Sequence, residues 1–113
     1  MRTKVTNDSR RLKSGARLAP LSDLKARLMR NSEFRFQYNA LRIREQIGDA
    51  LAKARKARGL TQAEVAERAG TAQAVIARLE NGRSGTPSLD LLNRVASAVG
   101  LELSVSLKVH QAA

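Results

Sequence analysis

The stretch of sequence that decides the fold runs over residues 60–82 and reads LTQAEVAERAGTAQAVIARLENG. Thr61 followed by Glu64 is a capping-box pattern, in which the hydroxyl accepts from a backbone N–H and the carboxylate reaches back to cap the same helix end. Helical periodicity continues to a turn that begins at Gly70, and it resumes over residues 73–80. The stretch therefore predicts two short helices joined by a tight turn, which is a helix-turn-helix.

On the C-terminal side the sequence predicts one more helix and then a strand. Ser88 caps an apolar helical run that Gly100 closes. Over residues 101–109 apolar and polar side chains alternate, which is the pattern of a β-strand. A lone strand needs a partner for its backbone groups, and we expect the same strand of a second copy, although residues 34–38 or a partner protein are open alternatives. The predicted dimer-strand residues are Leu101, Leu103, Val105 and Leu107.

On the N-terminal side the sequence predicts helices that follow a basic arm. Residues 34–58 form either one long helix or two, because Gly48 weakens the helix locally by about 1 kcal/mol relative to Ala. A shorter helix capped by Ser22 precedes them, so that residues 21–46 are a helical extension. Residues 1–20 are rich in Lys, Arg, Ser and Thr and predict a flexible arm, which is either a solvated tail or a non-specific phosphate contact.

The predicted fold class is therefore all-α. A five-helix-type helix-turn-helix domain spans residues 47–100 and carries the N-terminal helical extension. A short C-terminal β-strand follows the domain and pairs across a dimer.

The charge distribution indicates the class of partner. The net charge is +11, and residues 1–60 hold 16 basic and 5 acidic side chains, whereas residues 61–113 hold five of each. An excess of this kind favours a polyanion. There is no Cys and His110 is the only histidine, so we expect no enzyme, no catalytic residue, no metal site and no cofactor. No apolar run approaches the ~20 residues that span a bilayer and no signal peptide is evident, so we expect a cytoplasmic protein without a membrane partner.

The central motif resembles the lambda-repressor/Cro-like (XRE) helix-turn-helix family, over residues 47–100. The matching residues are Leu60-Thr61-Gln62-Ala63-Glu64-Val65-Ala66, Gly70-Thr71-Ala72-Gln73, Ile76, Leu79-Glu80-Asn81-Gly82 and Pro87-Ser88-Leu89. The resemblance implies a homodimer that binds double-stranded DNA at an inverted-repeat operator.

The resemblance also implies roles for individual residues. Gln73, Ala74 and Arg78 would read bases, since their side chains suit adenine, the thymine methyl and guanine. Arg55 and Glu80 would form a structural ion pair and not contact DNA. The phosphate-contacting residues would be Gln62, Thr71 and Arg83 of the motif and its following loop, with Lys53, Lys56 and Arg58 of the preceding helix.

The flanking segments are similar to those of HigA-type antitoxins. Residues 24–41 look like the helical extension of that class, and residues 101–107 are also similar to the ending of HipB-type antitoxins. This resemblance implies an antitoxin of a type II toxin–antitoxin system, which binds its cognate toxin and represses the shared operon. The toxin of a HigA-like member would be a RelE-like mRNA endonuclease, and that of a HipB-like member a kinase. The alternatives are a stand-alone or phage-type repressor and a non-specific basic nucleic-acid-binding protein.

Overall fold

The computed structural model describes residues 20–109. Within that range the chain forms helices α1 (Leu21–Leu28), α2 (Ser32–Ala57), α3 (Gln62–Ala69), α4 (Gln73–Glu80) and α5 (Leu89–Ala98). The described part of the chain contains no strand, so the all-α prediction is confirmed there. The basic arm predicted over residues 1–20 lies outside the described residues, except for Pro20.

The chain divides into two compact units, residues 1–39 and residues 40–113. In the first unit, the prediction that Ser22 caps α1 is wrong. The helix begins at Leu21, Pro20 occupies the N-cap position, and no side chain caps this end. The backbone carbonyl of Pro20 instead accepts from the N–H groups of Asp23 and Leu24, at 3.0 and 3.2 Å. Proline suits this position because its fixed φ and missing N–H cost nothing at a helix start.

The short break between α1 and α2 ends at a side-chain cap. Asn31 Oδ1 accepts from the backbone N–H of Phe34 at 2.9 Å, which satisfies one of the free donors at the start of α2. Phe34 stacks on Tyr38 with ring centroids 6.1 Å apart, and Lys25 Nζ lies 4.9 Å from the centroid of the Tyr38 ring. A cation over an aromatic face is attractive, so this cluster ties α1 to the first turns of α2.

Residues 32–57 form one continuous helix, which decides between the two alternatives left open by the sequence. Gly48 is buried within it. A Cβ at Gly48 would lie 2.5 Å from the carbonyl oxygen of Leu79 and 2.7 Å from that of Glu80. Glycine is therefore required where α2 passes the end of α4, because any side chain would push the two backbones apart.

The hydrophobic core of the second unit lies between the C-terminal half of α2 and helices α3, α4 and α5. Its members are Leu51, Val65, Ala66, Ala69, Ile76, Leu79, Leu92, Val95, Ala96 and Val99. Helix α4 contributes Ile76 and Leu79 to this core. Two apolar residues of these helices, Leu89 on α5 and Ala63 on α3, are exposed. They occupy the first turns of their helices, beyond the edge of the cluster.

The C-terminal strand is not formed in the single chain. Residues 101–109 have no regular secondary structure, and residues 102–109 make no backbone hydrogen bond to any other described residue. The described chain thus gives no support for the predicted strand, which requires a second strand to complete its hydrogen bonds.

Candidate nucleic-acid interface

The two helices of the motif are fixed at both sides of their connecting turn. At the start of α3, Thr61 Oγ1 accepts from the N–H of Glu64 at 3.0 Å, and Glu64 Oε1 accepts from the N–H of Thr61 at 2.8 Å. The bond from the backbone N–H of Thr61 to the Glu64 carboxylate holds the pKa of that carboxyl below its ordinary value. At the other end Gly70 takes a left-handed conformation with φ +71°, and the N–H of Thr71 donates to the carbonyl of Ala66 at 2.9 Å. Local sequence alone therefore sets the turn.

Helix α4 has one buried face and one exposed face. Ile76 and Leu79 are almost fully buried in the core. Gln73, Ala74 and Arg78, the three predicted base-reading residues, are all exposed. Their positions along the helix place Ala74 and Arg78 one turn apart on the same side, with Gln73 beside them. The helix thus offers a short row of polar and small side chains to a ligand.

The neighbouring positions on α4 do not extend that row. Val75 and Ala77 are half-buried and apolar. The exposed polar surface of α4 is therefore limited to its first turn and to Arg78.

The N-terminus of α4 is not capped by a side chain. Ala72 occupies the N-cap position and makes no side-chain hydrogen bond to the first turn, whereas α3 and α5 are capped by Thr61 and Ser88. Unbonded N–H groups and the helix dipole favour a negative charge at such an end. A phosphate group therefore fits the start of α4 by its charge.

The other end of α4 is held by a network around one carboxylate. Arg55 on α2 donates from Nε and Nη2 to the two oxygens of Glu80, at 2.6 and 3.0 Å. Gln62 on α3 donates from Nε2 to Glu80 Oε1 at 3.0 Å. Arg55 also donates from Nη1 to the carbonyl of Leu60 at 2.9 Å. Three helices therefore meet at Glu80, which fixes the orientation of the exposed face of α4.

The network also shifts the protonation equilibria of the pair. Burial raises the pKa of Glu80, but the hydrogen bonds from Arg55 and Gln62 and the nearby positive charges outweigh it, and the pKa lies below the ordinary value. The hydrogen bond to Glu80 raises the pKa of Arg55. Both shifts favour the charged forms, so the pair stays ionised at neutral pH.

The residues predicted to contact phosphates differ in how exposed they are to solvent. Lys53, Lys56 and Arg83 are exposed and Thr71 is partly exposed. The backbone of Arg83 is held after α4 because its N–H donates to the carbonyl of Arg78 at 2.8 Å and to Asn81 Oδ1 at 3.2 Å. The arrangement leaves the Arg83 side chain close in sequence and space to the end of α4.

Two other residues predicted to contact phosphates lie against other parts of the protein. The Gln62 amide binds Glu80, so that at least one of its two N–H donors is engaged. The Arg58 guanidinium lies directly against Gly100, where a side chain at residue 100 would collide with it. The roles of Gln62 and Arg58 at a phosphate stay predictions.

Gly48 is a positioning residue that the sequence alone does not reveal. A glycine inside a strongly helical run costs about 1 kcal/mol, and that unexplained cost was the one available signal. The structure supplies the reason, since the α4 carbonyls of Leu79 and Glu80 occupy the space of a Cβ. No group of acidic, His or Cys side chains in residues 20–109 is arranged to hold a metal ion. Over the same residues no helix has the length and hydropathy needed to cross a membrane.

Comparison with known proteins agrees with this geometry. A family model described as helix-turn-helix matches residues 51–105. The transcriptional regulator ClgR of Mycobacterium tuberculosis, in two strains, is 38% identical over 65 residues, which are 58% of this chain and 57% of ClgR. The chain thus spans little more than half the length of that relative. No solved structure gives a significant match.

A second relative is matched over most of its length. An uncharacterized HTH-type transcriptional regulator of Methanothermobacter thermautotrophicus is 52% identical over 48 residues, which are 42% of this chain and 68% of the relative. The matched regions, the capped helix pair and the exposed face of α4 all lead to one assignment: the chain belongs to the XRE-type helix-turn-helix family of transcriptional regulators.

Proposed function

We propose that this chain is a sequence-specific DNA-binding transcriptional repressor in which α4 is the recognition helix. The observation that carries the proposal is the exposed row formed by Gln73, Ala74 and Arg78 opposite the buried Ile76 and Leu79. The major groove of B-DNA is about 12 Å wide and admits one helix of this kind. Gln suits adenine, Arg suits guanine, and the Ala74 methyl can contact the methyl group of thymine.

In this proposal, one set of residues supplies affinity for DNA and another set supplies the preference for a base sequence. The exposed cations Lys53, Lys56 and Arg83 supply phosphate contacts, which position the protein and add affinity without sequence information. The uncapped N-terminus of α4 accepts a further phosphate. The proposal includes a cytoplasmic location, where the chromosome is accessible, and no catalytic activity.

The repressor acts as a homodimer on an inverted repeat. Two recognition helices related by a two-fold axis contact half-sites about one helical turn apart, roughly 34 Å from centre to centre. The two copies join through the segment of residues 101–109, whose unpaired backbone and alternating apolar side chains need a second strand.

Selection from random DNA tests this proposal. The full chain is incubated with a library of randomised duplexes at physiological salt, and bound DNA is amplified and sequenced over several rounds. We expect enrichment of an inverted repeat with half-site centres about 10 base pairs apart. A variant with Gln73→Ala and Arg78→Ala serves as the control and should enrich no motif. Equal recovery of all sequences by the unaltered chain would contradict the proposal.

We further propose that the repressor is the antitoxin of a type II toxin–antitoxin module. The supporting observation is a set of exposed apolar side chains on α1 and the first turns of α2, outside the family match to residues 51–105. They are Leu21, Leu24, Leu28 and Phe36. Exposed apolar groups concentrated on a small element favour a protein partner. That partner is the cognate toxin, a RelE-like mRNA endonuclease in the HigA-like interpretation, and the alternative is a stand-alone or phage-type regulator.

Co-expression with the product of the adjacent gene tests the antitoxin proposal. We expect the two proteins to co-purify and the chain to rescue growth of cells that express the neighbour. Leu24→Glu should abolish both effects and leave DNA binding intact, whereas Ala26→Glu on the same helix is the matched control for the added charge. A harmless neighbour that does not co-purify would favour the stand-alone regulator.

A further inference from the structure

The C-terminal segment, residues 101–109, leaves the core after two anchoring contacts. The N–H of Leu101 donates to the carbonyl of Ala96 at 2.8 Å, and the Leu103 side chain packs against the core at half-burial. Beyond Leu103 the apolar side chains face solvent, and Leu107 and Val109 are 95% and 89% exposed. The segment is therefore held at its beginning and uncovered over the rest of its length.

Two properties of this segment point to strand pairing with another chain. The backbone groups of residues 102–109 form no hydrogen bond with any other described residue. One side of an extended chain carries only apolar residues, and the other carries Glu102, Ser104, Ser106 and Lys108. Unpaired N–H and C=O groups beside an apolar row are the template on which a second strand adds.

We propose that the partner is the same segment of a second copy, in an antiparallel ribbon whose two-fold axis passes through Val105. This inference rests on the proposed dimer and goes beyond it by assigning the register. Residues directly opposite in an antiparallel pair have side chains on the same face. The apolar residues of the segment all have odd numbers, so they face apolar residues of the partner only when the numbers of two facing residues add to an even number. The two-fold axis must then pass through a residue, and registers with the axis midway between two residues are excluded.

Charge selects among the remaining registers. Glu102 and Lys108 are the two charged residues of the segment, and they lie three positions to either side of Val105. With the axis at Val105, Glu102 lies opposite the partner's Lys108, and Lys108 lies opposite the partner's Glu102. With the axis at any other residue of the segment, neither charge meets its opposite within the segment. Opposite charges in directly facing positions stabilise a ribbon, so the axis at Val105 is favoured.

The burial of the apolar row agrees with the same register. Leu103 lies opposite the partner's Leu107 when the axis is at Val105. Since Leu103 already packs against its own core, the partner's Leu107 is brought beside that core and becomes covered. Each copy thereby covers the partner's Leu107, a side chain that is almost completely exposed in the single chain.

Single-cysteine variants read the register directly, because the chain contains no cysteine. Val105→Cys places the two thiols opposite each other, with Cα atoms about 4.5–5.5 Å apart, within reach of a disulfide. Leu103→Cys is the matched control, since four positions along a strand separate the two thiols by roughly 13 Å. We expect rapid oxidative cross-linking of Val105→Cys and none of Leu103→Cys. The double variant with Leu103→Cys and Leu107→Cys should cross-link.

The remaining outcomes distinguish a wrong register from the absence of a dimer. Cross-linking of Leu103→Cys or Leu107→Cys alone, with none of Val105→Cys, overturns the assigned register but keeps the ribbon. A dimer in sedimentation without any of these cross-links also overturns the assigned register, because an axis at Ser104 or Ser106 brings none of these thiols directly opposite one another. A monomer at high concentration overturns the register and the proposed dimer together.

A charge exchange tests the cross-strand pair itself. Glu102→Lys places like charges opposite each other twice in the dimer and should weaken dimerisation by about 3- to 30-fold. Lys108→Glu should do the same. Combining both changes restores opposite charges and should return the dissociation constant to within about threefold of the original. Failure of the combined variant to recover, with both single variants weakened, overturns the proposed pairing of residues 102 and 108.

Discussion

Arg55 on α2 donates to both carboxylate oxygens of Glu80, the last residue of α4, over 2.6 and 3.0 Å. The side chains of this pair are 13% and 9% exposed, so the charges are largely withdrawn from water. The same carboxylate accepts from Gln62 on α3. A bidentate Arg–carboxylate contact fixes direction as well as distance, and it therefore sets how α4 is presented on the surface.

Replacement of Glu80 by Gln should destabilise the fold more than the removal of an exposed ion pair. It leaves the guanidinium of Arg55 without a counter-charge, at an expected cost of about 2–3 kcal/mol. That corresponds to a decrease in Tm of roughly 10–20 °C for a domain of this size. The control is Asp90→Asn, which breaks the exposed Asp90–Arg94 pair and should cost less than about 0.5 kcal/mol. Equal decreases in Tm for the two variants would show that the buried pair contributes no more stability than the exposed pair.

The double variant with Arg55→Met and Glu80→Met should recover much of that stability. Apolar side chains of similar volume remove both charges and leave neither one buried alone. We expect at least half of the decrease seen with Glu80→Gln to be regained in chemical denaturation. A double variant less stable than the single one would mean that the hydrogen bonds of Arg55 to Leu60 and of Gln62 to Glu80 dominate.

Stability should fall on the acidic side because of Glu80. Its folded pKa lies below the ordinary value near 4.5, so the stabilisation by this carboxylate is present above that value and is lost as the pH falls through the folded pKa. The pKa of Glu64 is shifted in the same direction. Thermal unfolding measured from about pH 7 to about pH 3 should show a steeper acid-side decrease in stability for the unaltered chain than for Glu80→Gln. Parallel curves would exclude Glu80 as a source of that decrease.

Gly48→Ala should be destabilising although alanine is the better helix former. The added methyl group would lie 2.5 Å from the carbonyl oxygen of Leu79, so either α2 or the end of α4 must move. We expect a net cost of about 1–3 kcal/mol, typical of overpacking. The control is Gln46→Ala on the exposed side of the same helix, which should change stability by less than about 0.5 kcal/mol. A more stable Gly48→Ala variant would contradict the close approach.

Deletion of residues 1–20 tests the role of the basic arm. The arm carries six Lys or Arg residues and one acid. If it contacts phosphates, its removal should reduce the dependence of binding on salt, by about 0.9 in the slope of log K against log salt for each phosphate that the arm neutralises. Binding titrations at several salt concentrations measure this slope. An unchanged slope would make the arm a solvated tail.

The local part of the fold was predictable from the sequence. The capping box at Thr61 and the left-handed Gly70 act within a few residues, and both occur in the structure as their patterns predict. Gly48 could not be assigned in the same way because its partner is the backbone of Leu79, which is distant in sequence and comes close only through the tertiary fold. The need for glycine at this position is a property of packing.

The candidate site was predictable to a similar extent. The resemblance to the helix-turn-helix family implied exposed positions for Gln73 and Arg78 on the recognition helix, and both side chains are exposed on α4. It could not show that Gln62 binds Glu80 or that Arg58 lies against Gly100, since both contacts join separate helices or their ends. The alternating pattern of residues 101–109 predicted a strand that the described chain does not form, and a strand needs a second one to complete its hydrogen bonds.

The affinity of Arg78→Ala for a selected operator tests whether Arg78 reads a base. Arg78 is exposed and unrestrained by any ion pair in the described chain, so its replacement should leave the fold intact. We predict a decrease in binding free energy of about 1–3 kcal/mol on the selected site, with relaxed preference at one base pair of each half-site and little change on scrambled DNA. An equal decrease on both DNAs, with no change in base preference, would show that Arg78 contacts phosphate and does not read a base.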